Sequence, residues 1–227
     1  MLRITTLLLF TFIGFNASLA QDIVHVNDMS FLKSYFGYVV SKVSIKTPIP
    51  FKGKKVKISF RYDALQIADH LSENDFLTKT KDEYNKSDFG VGDSWVKDWF
   101  GSRKSIYEPK FEKKLKSLSP SSSIQFVEDS NFDYQFIVYT TKIDMGPEDP
   151  LVQTMFLIDA KIVIENREGV ALGFVLFNFV PGRCYGNAMW DDFEAIGNCY
   201  AKLAKEFYDL VLGKDEEEDI DRKPTRY

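Results

Sequence analysis

Histidine is nearly missing from this chain: His25 and His70 are the only two among 227 residues. A Ser–His–acid or Cys–His catalytic set would have to use one of them. His25 lies near the start, and His70 stands just ahead of an expected helix, where a polar surface residue is the ordinary finding. Cysteine is equally scarce, with Cys184 and Cys199 alone. Two distant cysteines and two isolated histidines do not supply the three or four ligands of a zinc site. Scattered carboxylates leave calcium open, yet no loop follows the EF-hand pattern. No cofactor is therefore expected. Basic excess is absent as well. The formal charge is −4, which argues against nucleic acid as a partner, because phosphate binding calls for a basic face. Gly90-Val91-Gly92 is too short for a dinucleotide fingerprint and lacks its strand–turn–helix setting. No internal repeat is visible.

Long apolar runs are lacking too, and the one at the start is brief. MLRITTLLLFTFIGFNASLA carries Arg3, an apolar stretch from Leu7 to Phe15, and a small-residue ending, Ser18-Leu19-Ala20. That pattern is a secretory signal peptide cut before Gln21. The stretch falls short of the roughly 20 residues that span a bilayer, so no transmembrane anchor is expected after cleavage. No cysteine follows the cut to carry a lipid. The expected organisation is a signal peptide over 1–20, a single domain over 21–213 and an acidic disordered tail over 214–227. Export to a periplasmic or extracellular site follows from the leader.

What is present is aromatic and β-branched. Asp133 to Val180 reads as three consecutive strands, DYQFIVYTTKIDM, QTMFLIDAKIVIEN and GVALGFVLFNFV, separated by Gly- and Pro-bearing turns. Gly173 within the third marks a bulge or a close approach. KVKISFRY, Lys55 to Tyr62, alternates apolar and polar residues as a half-buried strand. Ile124 to Val127 makes a fifth.

Between the Lys55–Tyr62 and Ile124–Val127 strands lies a helical block. Ser72 caps a helix running from Glu73 to about Lys86, with Asp75 three residues on. Asp88-Phe89-Gly90-Val91-Gly92-Asp93 breaks it. A second piece covers Ser94 to Phe100, and a third runs from Glu108 or Pro109 to Leu118. A final helix, Asp191 to Leu212, places Phe193, Ile196, Tyr200, Leu203, Phe207 and Leu210 at helical spacing, with Gly213 as its stop. Tyr35 to Val40 reads as a short strand or helix. The fold class is α+β: a mostly antiparallel sheet of about five strands, with helices covering one face.

Three sets of residues bear on chemistry. The cysteines sit in a chain bound for an oxidising compartment, so a Cys184–Cys199 disulfide of about 3 kcal/mol and two buried thiols both stand open. The pair can meet only if the last helix starts near Ala188 or later, since fifteen helical steps would hold them about 22 Å apart. Acids such as Asp63, Asp69, Glu73 and Asp75 read as a solvated helix start rather than a glycosidase pair. Trp95 and Trp99, at i,i+4 on one helix face beside Phe100, are candidate ligand-binding residues, able to stack on sugar or peptide if exposed or to fill the core if buried. No catalytic set converges. The reading is an exported non-catalytic protein that binds another envelope protein. The alternative is a small-ligand or glycan binder, or a weak hydrolase, using a tryptophan-lined cleft.

One resemblance accompanies this reading. Phe60-Arg61-Tyr62-Asp63, then Ile67 and Ser72-Glu73-Asn74-Asp75-Phe76, resembles the opening of a group of exported Bacteroidetes proteins. Tyr200-Ala201-Lys202-Leu203-Ala204-Lys205-Glu206-Phe207 is similar to that group's closing motif. The resemblance implies an architecture like the α/β domain of the Tol-system translocation protein's amino-terminal region and of lipoprotein activators of peptidoglycan synthases. Those relatives bind envelope proteins. No site residue carries over, and the missing lipid-anchor cysteine departs from the lipoproteins.

Overall fold

A computed structural model describes residues 40–45, 47–68, 71–119, 124–145, 155–183 and 191–213. The leader, both histidines, Cys184 and the acidic tail lie outside the described residues, as does the disulfide expectation that depends on Cys184.

Among the described residues eight strands form one sheet: β1 Val40–Ile45, β2 Lys54–Arg61, β3 Gln66–Ile67, β4 Leu71–Ser72, β5 Ile124–Val127, β6 Tyr134–Asp144, β7 Met155–Asn166 and β8 Ala171–Arg183. The order is β1-β8-β7-β6-β2-β5, with β3 on β6 and β4 on β3. All five expected strands are present. Among the described residues the sheet is larger than the expected five strands, however, and its mostly antiparallel pairing is joined by a parallel portion. β2 pairs parallel with β5 and with β6, and β3 also pairs parallel with β6. The cause is the helical block. It carries the chain back across the sheet, so β5 and β6 run in the same direction as β2. The antiparallel portion is the β6–β7–β8 meander with β1 added at its edge.

Alternation sends Phe136, Val138 and Thr140 of β6, Ile158, Ala160, Ile162 and Ile164 of β7, and Val175 and Phe177 of β8 to one buried face. Two bulges then shift the phase so that Ile143 and Val180 also point inward, three residues after Thr140 and Phe177. At the second bulge Phe179 takes a left-handed φ of 58°. Its N–H donates to the Asp159 carboxylate at 2.8 Å. Gly173 meets both sequence readings. It borders a register shift, and a Cβ there would stand 2.7 Å from the Ser44 carbonyl oxygen of β1.

The helices are α1 Glu73–Ser87, α2 Val91–Ser102, α3 Glu108–Leu118 and α4 Asp191–Phe207. The expected gap between α2 and α3 does not exist. A π-helical turn, Arg103–Tyr107, joins them into one continuous helix over 91–118. Pro109 gives a physical reason. In a plain α-helix its ring would press on the carbonyl four residues back and its missing N–H would leave a gap. The wider turn before it, closed by the Glu108 N–H on the Arg103 carbonyl, lets the helix continue. A second π turn, Tyr208–Leu212, ends the last helix, where the Gly213 N–H donates to the Tyr208 carbonyl at 2.8 Å. Gly213 thus stops the helix at the expected residue, with φ −73° rather than the left-handed conformation of a C′ glycine. Ser72 caps α1 as expected: its Oγ accepts from the Asp75 N–H at 3.2 Å and donates to the Asp75 carboxylate at 2.6 Å.

These helices pack on the inward face of the sheet around Phe111, Leu115, Ile196, Tyr200, Leu203 and Phe207. Among the described residues no helix is long and apolar enough to cross a membrane.

Candidate functional site

The break between α1 and α2 is a built corner. Asp88 ends α1 in an extended conformation and Gly90 turns left-handed at φ 87°, a backbone state glycine reaches without a Cβ penalty. Asn85 then clamps the turn. Its side-chain oxygen accepts from the Gly90 and Gly92 N–H groups at 3.1 and 2.8 Å, and its amide donates to Asp93 at 3.0 Å. Lys81 closes the outside with a 2.6 Å ion pair to Asp93. Only glycine fits at 92, because a Cβ there would lie 2.1 Å from the Lys81 carbonyl oxygen. Phe89 stands in this turn and is 95% exposed.

Beside that ring lies a cleft of 420 Å³, lined by Phe89, Val91, Ser94, Trp95, Asp98 and Phe193. Val91, Ser94, Trp95 and Asp98 come from one face of α2 at helical spacing, and Phe193 from the first turns of α4. Trp95 is half-buried and forms the wall. Its ring lies 6.2 Å from Phe193 at an interplanar angle of 33°, 5.7 Å from Tyr84 and 5.9 Å from Phe76. These contacts fix its orientation from two neighbouring helices, α1 and α4.

Trp99 stands behind Trp95, 5.5 Å away, and is 1% exposed. Its indole N–H donates to Glu73 at 2.5 Å. The same carboxylate oxygen takes the Arg103 guanidinium, which stacks on Tyr62 at 4.2 Å and on Phe100 at 4.9 Å. The structure therefore divides the tryptophan pair: Trp95 lines the cleft, and Trp99 ties α2 to α1 in the interior. Phe89, Asp98 and Phe193 are the cleft residues that sequence reasoning did not single out. Phe193 was legible only as a core position, and Phe89 only as part of a helix break.

A second polar cluster sits deeper. Tyr107 and Tyr200 stack at 5.4 Å and 11°, and the Tyr200 hydroxyl is 2.5 Å from Thr140 Oγ1. The Tyr107 hydroxyl is buried with no hydrogen-bond partner among the described residues. Burial, the dominant cause, pushes the acid dissociation of Tyr62, Tyr107 and Tyr200 well above the ordinary tyrosine value. Burial thus favours the neutral phenol at all three positions, and Tyr107 and Tyr200 pack as part of the core. Cys199 is buried nearby, its Sγ 3.5 Å from the Phe156 carbonyl oxygen. Among the described residues no group of three or more His, Cys, Asp or Glu is placed to hold a metal. A broader groove of 630 Å³ along α3 is bordered by the ion pairs Lys104–Glu108 and Lys116–Glu112, so much of its charge is already matched.

No family model matches the chain, and no curated protein matches it. Among solved structures it is similar to the PelC dodecamer from Paraburkholderia phytofirmans, with a TM-score of 0.34, 7% identity, and 73% of this chain and 97% of that chain covered. It is also similar to a protein of the DUF330 family from Xanthomonas campestris, with a TM-score of 0.35, 9% identity, and 75% and 94% covered. A third similar structure is a putative neuraminyllactose-binding hemagglutinin homolog from Helicobacter pylori, with a TM-score of 0.33, 10% identity, and 77% and 94% covered. Similarity at this level assigns neither a family nor a function.

Proposed function

We propose that this is an exported, non-catalytic binding module that holds another envelope protein at the α1–α2 corner. The observation that carries the reading is Phe89, held 95% exposed at the lip of a cleft walled by Trp95 and Phe193. A large aromatic kept in water by a clamped turn has no packing role of its own, and exposed aromatics beside a concave apolar wall suit a protein contact. The leader-like first 20 residues support the exported part of this reading. A small-ligand or glycan binder is the second reading, favoured by the half-buried Trp95 ring standing beside the polar groups of Ser94 and Asp98. Affinity capture from native envelope extract separates the two. A reproducible protein partner, retained by wild type and lost by F89A and W95A, supports the module. Enriched glycan without protein supports the second reading, and equal capture by all three chains rejects the cleft as the binding surface.

A further inference from the structure

The cleft is apolar with one carboxylate, and that carboxylate has no basic partner. Among the described residues the Asp98 side chain takes part in no hydrogen bond or ion pair, while its backbone carbonyl accepts from Ser102. No cation among the described residues lines the cleft, and two lysines of the surrounding helices are paired with other acids: Lys81 with Asp93 at 2.6 Å, and Lys110 with Glu194 at 2.5 Å. Three aromatic rings, Phe89, Trp95 and Phe193, share the lining with Asp98. Aromatic faces carry negative potential and attract a cation, the more so where water is partly excluded. The first turn of α4 opposes a cation through its helix dipole, and the acidic Asp192 there offsets part of that.

Resting on the binding-module reading, we propose that the cleft takes an arginine side chain of the protein partner. The guanidinium would lie against Trp95 and Phe193 and meet Asp98, with its alkyl stem along Val91 and Phe89. Three features of the site favour arginine. A planar guanidinium stacks on aromatic faces while its edge donates to a carboxylate. Its weak hydration lowers the cost of entering a half-dry cleft. The same chain already uses this chemistry internally, where Arg103 stacks on Tyr62 and Phe100 and pairs with Glu73.

The test titrates the folded protein with N-acetyl-arginine amide and with N-acetyl-citrulline amide, its uncharged isostere, at low ionic strength. The readout is the Trp95 indole N–H resonance, identified by its loss in W95F. The expected result is about tenfold tighter binding of the arginine compound, a preference that shrinks with added salt and disappears in D98N. Equal binding of the two compounds to wild type would overturn the arginine proposal while leaving the cleft as a binding surface. No perturbation by either compound would reject the cleft reading itself. Choline is the third arm, and tighter binding of choline than of arginine amide would overturn the proposal in favour of a small quaternary amine. The arginine–citrulline comparison needs no variant, so it stands even if D98N folds poorly.

Discussion

Two glycines in the same helix should respond to alanine with opposite signs. Gly92 and Gly101 both lie in α2. At Gly101 an added Cβ meets nothing within 4 Å, so G101A should stabilise the protein by about 0.5–1 kcal/mol, the ordinary gain in helix propensity. At Gly92 the same atom would stand 2.1 Å from the Lys81 carbonyl oxygen and 2.8 Å from the Lys81 Cα. Both are backbone atoms that no rotamer change can move. Real Cβ contacts essentially never fall below 3.0 Å, so α1 and α2 would have to part by about 1 Å. Overpacking of this kind costs about 1–3 kcal/mol or more, which exceeds the propensity gain. Thermal and urea unfolding of the two variants are the assay. For a domain of this size each kcal/mol corresponds to about 2–4 °C in Tm, so the variants should melt on opposite sides of wild type. Because the corner carries Phe89 and Trp95, G92A should also change tryptophan emission. A G92A protein as stable as G101A would refute the reasoning that this contact builds the corner.

Thr140 and Tyr200 form a buried pair, so T140V should cost about 1–3 kcal/mol by stranding the Tyr200 hydroxyl. T140V/Y200F should recover part of that loss in denaturant melts. R103M leaves Glu73, 17% exposed, without its cationic partner and should destabilise by about 1–3 kcal/mol. Phe179 holds φ 58° with a half-exposed ring, so F179G should raise stability by about 1 kcal/mol through relief of left-handed strain. Tyr107 dissociates above its ordinary value of 10.0 in the folded state. The unfolded chain therefore loses this proton first, and the stability it contributes is intact below pH 10 and falls as pH rises beyond it. Y107F should flatten that alkaline decline.

The strands were legible because alternation and β-branching fix which residues face the core, as KVKISFRY and the β7 run through Ile158–Ile164 show. Their direction was not. Whether β2 runs with or against β6 depends on how the helical block crosses the sheet, and no local pattern records that. β3 and β4, two residues each, are too short to show a period. The π turn at Arg103–Tyr107 escaped because no periodic pattern assigned the residues between Phe100 and Glu108 to an element, although Pro109 marked the strain it relieves. At the site, Trp95 and Trp99 looked equivalent at i,i+4. Only the packing of α1 and α4 buries one and leaves the other at a cleft wall. Phe89 carried a weak signal, an aromatic inside a Gly-bearing break, while Asp98 had none.

The central claim is that the corner around Phe89 is where a partner protein binds. Its most direct test replaces Phe89 with a photo-crosslinking benzoylphenylalanine in cells, with the same probe at Lys113 on α3 as control. A single protein crosslinked from position 89, absent from position 113 and lost when W95A is added, is the predicted result. The same products from both positions, or none from position 89 in an otherwise folded protein, would contradict it.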